Sequence, residues 1–170
     1  DGYLTKPIRH KDLKAFINHV LGQTKELNEL PKELVTQHTL AEAKRQNIHI
    51  LLAEDYETNQ KLAIRQLESS GFHVTLAQDG KQAVDCFLKQ DFDIILMDIQ
   101  MPVMDGYEAT GQIRELEESD KVNFGKRIPI IAMTAHAIQG YREQCLDAGM
   151  DDYITKPLKK EVLLTTVSNW

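Results

Sequence analysis

Ile94-Ile95-Leu96-Met97-Asp98-Ile99-Gln100-Met101-Pro102-Val103-Met104-Asp105-Gly106 is the stretch whose reading decides the fold. Four consecutive apolar residues ending in a carboxylate describe a short strand covered on both faces, as in the centre of a parallel sheet. A proline-containing loop follows, and Asp105 stands where a helix N-cap is expected, opening a helix to about Glu118.

Outward from this stretch the same unit repeats. Ile48–Ala53 is expected to be a strand, followed by a helix from about Thr58 to Ser70 that Gly71 stops. Phe72–Ala77 alternates enough to suggest an edge strand, and Asp79-Gly80 turns the chain into a helix over about residues 81–89. Ile128–Met133 is the fourth strand, with a helix around Ile138–Ala148 ended by Gly149. Tyr153–Thr155 is the fifth strand, and Lys156-Pro157 leads into a last helix. Short apolar runs alternating with helices are the signature of βαβ units, so residues 48–170 read as a five-unit α/β domain with a mostly parallel sheet.

Bulk properties agree with one soluble domain and some additional chain. The 170 residues are 42% hydrophobic and 27% charged, with a formal net charge of -6. That balance argues against a nucleic-acid partner bound through a broad basic face. Cys86 and Cys145 lack metal-ligand spacing, which fits a reducing, cytoplasmic setting. No apolar run approaches the length needed to span a membrane, so no direct membrane contact is expected of these residues. Charge divides unevenly: residues 1–47 hold eight Lys/Arg and six Asp/Glu, for +2, and residues 48–170 hold twelve and twenty, for -8.

The polar residues cluster by position in the repeat. Glu54 and Asp55 follow the first strand, Asp98 ends the third, Thr134 follows the fourth, and Lys156 follows the fifth. Open α/β sheets build their sites at the carboxyl ends of the strands. Any one of these residues is ordinary as a solvated strand end; three carboxylates, a hydroxyl and an ammonium at one edge are not. Converging carboxylates need a cation to remain ionised together. Hard oxygen donors with room for water suit Mg²⁺. A carboxylate beside that ion can act as a nucleophile toward phosphorus, giving an acyl phosphate. Lys156 and Thr134 suit phosphoryl oxygens.

Leu51–Asp55, Leu96–Gly106, Ala132-Met133-Thr134-Ala135 and Tyr153–Pro157 together resemble the response-regulator receiver family over all of residues 48–170. The resemblance, and not the spacing of the residues, implies a flavodoxin-like (βα)5 doubly wound parallel sheet of order 2-1-3-4-5, for which a receiver is a standard example. It implies that Asp98 is the phosphoacceptor, and that Glu54, Asp55, Asp98 and the Gln100 carbonyl hold Mg²⁺. Thr134 and Lys156 would contact the phosphoryl group, and Thr134 with Tyr153 would form the switch. Gln100 and His136 occupy positions that tune phosphoryl hydrolysis in the family; an exposed bystander is the alternative for His136. Tyr56 stands where receivers of hybrid kinases often have Asn. Its ring either crowds the mouth of the site or covers the adjacent helix, the second being favoured.

Asp1-Gly2-Tyr3-Leu4-Thr5-Lys6-Pro7-Ile8 repeats Asp151–Leu158 at an offset of 150, with five identities in eight. Leu13, Phe16, Ile17, Val20 and Leu21 then make an apolar helical stripe ended by Gly22. Residues 1–22 are therefore expected to be the last strand and helix of a preceding receiver, and 23–47 a partly helical linker, together an N-terminal helical extension. Because the chain opens at Asp1 and ends at Trp170 within a helical pattern, a longer parent is expected. Tandem receivers resemble the C-terminal part of a hybrid sensor histidine kinase. Such a parent would be a kinase, a transferase in a phosphorelay, with a membrane anchor elsewhere. The fragment has no kinase glycine boxes, so it would catalyse only its own phosphorylation and dephosphorylation. The expected partners are a histidine kinase core or a histidine phosphotransfer domain, with dimerisation through the last helix or the N-terminal stripe. An Asp-nucleophile phosphatase and a non-catalytic docking module are the rivals; the first wants a second Asp where Gln100 stands.

Overall fold

The computed structural model describes residues 48–119, 127–135 and 139–170. The expectations for residues 1–47 and for His136 lie outside these described residues.

Among the described residues five strands, β1 (His49–Ala53), β2 (His73–Ala77), β3 (Ile94–Asp98), β4 (Ile130–Thr134) and β5 (Asp152–Thr155), alternate with five helices. The helices are α1 (Glu57–Glu68), α2 (Gly80–Phe87), α3 (Gly106–Glu118), α4 (Gln139–Asp147) and α5 (Lys160–Asn169). All strand pairs are parallel, in the order β2-β1-β3-β4-β5, which is the order that the resemblance implied. The continuous apolar run of β3 is buried at every position in the middle of the sheet, whereas β2 is only partly buried at its edge.

Period-2 alternation divides the core into two layers. Leu51, Ala53, Ile95, Met97, Ile130 and Ala132 face one side, packed with Ala83, Val84 and Phe87 of α2, Ala109 and Ile113 of α3, and Cys145 of α4. Ile50, Leu52, Ile94, Leu96, Ile131, Met133 and Ile154 face the other, with Ala63 and Leu67 of α1 and Leu163 and Val167 of α5. Both faces of the sheet are covered, which is why its central strands have no polar alternation.

The elements expected within residues 48–170 are present, with shifted ends. The fourth strand starts at Ile130 rather than Ile128 because Pro129 has no N–H to donate to the ladder, although its carbonyl still accepts from the Ile95 N–H at 2.9 Å. Ile128 instead gives its N–H to Glu117 Oε1 (2.7 Å), and its carbonyl accepts from buried Arg114 (2.9 Å). The helix stops fall where expected: Gly71 and Gly149 take φ of 90° and 92°, beyond α1 and α4, a conformation that a side chain disfavours. Asp79 and Asp105 cap α2 and α3, accepting from the Gln82 and Glu108 N–H groups at 2.7 and 2.8 Å.

The β3–α3 loop is held close against its neighbours. The Gly106 N–H donates to Ile99 O (2.9 Å), and Gly80 N–H donates to Met104 O (3.0 Å). A Cβ at Gly106 would collide with the carbonyl oxygen of Asp98. Gly106→Ala should therefore push Asp98 and the helix start apart and cost about 1–3 kcal/mol. Thermal denaturation would show this as a midpoint lowered by several degrees; an unchanged midpoint would mean that the loop relaxes freely. At the start of α1, by contrast, Tyr56 occupies the N-cap position and makes no side-chain cap hydrogen bond. Tyr56→Asn should supply one and raise stability by about 1 kcal/mol, read from urea unfolding.

Candidate functional site

The sheet register brings the expected residues together. Ala53 pairs with Met97, so the next residues on the two strands are Glu54 and Asp98. Thr134 pairs with Thr155, and the Lys156 N–H that follows donates to Thr134 O at 2.7 Å. Glu54, Asp98 and Lys156 continue the side-chain rows of Leu52, Leu96 and Ile154 on the α1/α5 side of the sheet, while Thr134 continues the row of Ala132 on the other. Residues separated by about a hundred positions thus meet at one strand-end crevice.

That crevice has a volume of about 210 Å³ and is lined by Glu54, Asp55, Tyr56, Asn59, Asp98, Gln100, Thr134 and Lys156, with Ile99, Met133 and Ala135 supplying apolar wall. Glu54, Asp98 and Thr134 are buried, at 1%, 5% and 4% exposure, and Asp55 is exposed. One oxygen from each of Glu54, Asp55 and Asp98 lies within 4.8 Å of the others, close enough to share an ion. Lys156 Nζ stands between the two buried carboxylates, 2.5 Å from Asp98 Oδ2 and 2.7 Å from Glu54 Oε2. The first contact is a hydrogen bond. The second is a close ion pair in which Glu54 Oε2 makes no directed hydrogen bond.

Burial acts on both charge types here. Desolvation pushes the Asp98 carboxyl above its ordinary value of 3.8, against the Lys156 hydrogen bond and charge that favour the ionised form. The charge of Glu54 adds to the upward push, and the Gln100 N–H, donating to Asp98 Oδ1 at 3.3 Å, opposes it. Burial alone would lower the Lys156 ammonium, but the hydrogen bond to Asp98 and the two close carboxylates of Asp98 and Glu54 outweigh it and hold the group above 10.5. The lysine is thus a fixed cation, and Asp98 is a carboxylate that gains from any further positive charge placed beside it.

Tyr56 stands at the mouth of the crevice. It is 62% exposed, lines the crevice and is the N-cap where the chain turns out of β1 into α1. Gln100 is exposed at the rim, and Tyr153 is half-buried against the α2/α3/α4 layer. Two residues not singled out from the sequence also belong to the site. Asn59 Nδ2 donates to Glu54 Oε1 at 2.8 Å, and Gln60 Nε2 donates to the Glu54 carbonyl at 2.7 Å. In sequence both are ordinary amides on a polar helix. Only the start of α1 at Glu57 reveals that its first turns face back onto the end of β1.

Comparison with known proteins agrees with this geometry. Residues 50–168 match the family model described as response regulator receiver domain. Hybrid signal transduction histidine kinase I of Dictyostelium discoideum is 47% identical over 124 residues, covering 70% of this chain and 7% of that protein. Histidine kinase 2 of Arabidopsis thaliana is 35% identical over 188 residues, covering 100% of this chain and 15% of that protein. The chain therefore spans a small part of the length of either relative. Among solved structures, the receiver domain of a sensor histidine kinase from Pseudomonas aeruginosa, with a magnesium ion coordinated in its active site cleft, is 46% identical with a TM-score of 0.62, covering 72% of this chain and 96% of that one. A second match is the co-crystal structure of the Saccharomyces cerevisiae histidine phosphotransfer protein Ypd1 and the receiver domain of Ssk1. It is 31% identical with a TM-score of 0.67, covering 72% of this chain and 88% of that one. With motifs, strand order and strand-end crevice in agreement, the chain belongs to the response regulator receiver family.

Proposed function

We propose that residues 48–170 are a phosphorelay receiver in which Asp98 accepts a phosphoryl group from a phosphohistidine with Mg²⁺ bound beside it. The observation that carries this reading is the buried pair Glu54–Asp98 with Lys156 Nζ within 2.7 Å of both and Asp55 at the rim.

The donor set fits the ion. Three carboxylates and a main-chain carbonyl are hard oxygen ligands, they leave room for water, and Glu54 Oε2 is a buried anionic oxygen that lacks a directed hydrogen bond. Glu54, Asp55, Asp98 and the Gln100 carbonyl would hold Mg²⁺, which when bound supplies positive charge against the phosphoryl oxygens. Asp98 contributes a carboxylate oxygen as nucleophile. The new bond is O–P, the bond broken is P–N of the donor histidine, and the freed imidazole nitrogen keeps the electron pair and takes a proton from water. Lys156 stabilises negative charge on the phosphoryl oxygens as a point cation. Thr134, at the end of β4, supplies a hydroxyl that can draw toward the new anion, and Tyr153 on the adjacent strand responds to the space it leaves. Gln100, Tyr56 and His136 are proposed to modulate access of water and partner.

The partner is a histidine phosphotransfer domain or a kinase core. The crystallised pairing of a similar receiver with Ypd1 supports the first. The parent is proposed to be a hybrid histidine kinase acting in the cytoplasm, with residues 1–22 as the end of a preceding receiver and 23–47 as a linker. The alignment of Histidine kinase 2 over the whole chain supports a shared arrangement. No helix among the described residues is long and apolar enough to cross a membrane.

Incubation of the chain with acetyl phosphate and Mg²⁺, followed by intact-mass and peptide mapping, tests the reading. A single phosphoryl adduct on Asp98, absent from Asp98→Asn and from samples treated with chelator, is expected. Sustained turnover of unrelated phosphate monoesters would favour a phosphatase, and no adduct at all a docking module. The raised Asp98 carboxyl has a second consequence. A folded-state value above the unfolded one means that the native state loses stability as pH rises through the carboxylate range. Without Mg²⁺ at neutral pH, Asp98→Asn should thus raise the thermal midpoint of the domain. Addition of Mg²⁺ should raise the midpoint of the natural chain but not that of the variant. If the variant instead melts below the natural chain in chelator, the Lys156 ion pair outweighs desolvation.

A further inference from the structure

The two oxygens of Glu54 are used differently, and the difference bears on which ion the crevice admits. Oε1 accepts from Asn59 Nδ2 at 2.8 Å and lies 3.4 Å from the Tyr56 backbone nitrogen, so it is turned toward the first turn of α1. Oε2 is turned toward Lys156 and has no directed hydrogen bond. The backbone of the same residue is clamped, its N–H to Ala77 O at 3.1 Å and its carbonyl to Gln60 Nε2 at 2.7 Å. With the main chain fixed and one oxygen tethered, the carboxylate cannot rotate to present both oxygens to the crevice without breaking the Asn59 bond.

We infer that Asn59 is a specificity-determining positioning residue that restricts Glu54 to one-oxygen ligation and so favours Mg²⁺ over Ca²⁺. The chemistry follows from coordination preferences. Mg²⁺ demands compact octahedral geometry, keeps several waters and takes few carboxylate oxygens. Ca²⁺ gathers six to eight oxygens in flexible arrangements and gains from bidentate carboxylates. A glutamate held to one oxygen withholds from Ca²⁺ the extra ligand that it would use, and costs Mg²⁺ nothing. Asn59 is assigned no ligand role; its side-chain amide holds Glu54, so it acts through Glu54, as outer partners of metal ligands do. The inference rests on the Mg²⁺ site proposed above.

The test compares Mg²⁺ and Ca²⁺ dissociation constants of the full chain, by calorimetric titration, for wild type, Asn59→Ala and Asn59→Leu. Asn59 is only half-buried, and circular dichroism checks the folding of each variant. Wild type should prefer Mg²⁺. Both variants should weaken Mg²⁺ and strengthen Ca²⁺ relative to it, moving the affinity ratio toward Ca²⁺ by about tenfold or more. Asn59→Gln, which keeps the amide donor, should recover part of the preference. If wild type binds Mg²⁺ and the ratio is unchanged in folded Ala and Leu variants, the role assigned to Asn59 is overturned. Should wild type bind no Mg²⁺, the receiver chemistry itself fails, and that outcome is read separately from the first.

Discussion

Everything at the functional end of this domain depends on two buried carboxylates sharing one ammonium. Glu54 and Asp98 lie side by side at the ends of neighbouring strands, out of water, with Lys156 between them. Two like charges in a poorly solvated crevice repel, and a single lysine compensates only part of that cost. The arrangement is tolerable because Asp55, exposed at the rim, and the open side of the crevice allow a further cation to enter. The electrostatic deficit that makes the site costly without an ion is the same feature that gives it affinity for one.

The fold holds this deficit in place by making the surrounding backbone rigid. Glu54 is clamped from β2 and α1, the loop after Asp98 is packed under the first residue of α2, and Gly106 lets α3 start in contact with the Asp98 carbonyl. At the other end of the sheet, buried Arg114 joins Glu117, Asp151 and the Ile128 and Gly149 carbonyls at 2.6–2.9 Å, tying α3 to the starts of β4 and β5. Side chains that must hold within a fraction of an ångström are thus carried on braced strand ends, while the rim residues Tyr56 and Gln100 remain exposed to whatever docks. Under the proposed function both properties matter, since the phosphoryl group is carried in on another domain.

Much of this was legible in the residue order. The run Ile94–Met97 announced a central strand, Gly71 and Gly149 announced helix ends, and Asp79 and Asp105 announced caps; each depends on local stereochemistry that a few neighbouring residues set. Boundaries moved where tertiary bonding competed, as at Ile128, whose backbone is satisfied by Glu117 and Arg114 instead of by a neighbouring strand. The exposure of Tyr56 was not legible for a related reason: it depends on how the chain leaves β1, which the residue type does not specify.

From the sequence alone came the α/β class, the five repeated units, and the set of acidic, hydroxyl and ammonium residues at their ends, because periodicity and turn chemistry are local properties. The structure decided which of those residues share a crevice, that Lys156 faces both Glu54 and Asp98, and that Asn59 tethers one oxygen of Glu54. These depend on strand order and register between segments far apart in the chain, which hydrogen bonding across the sheet determines and no single stretch contains.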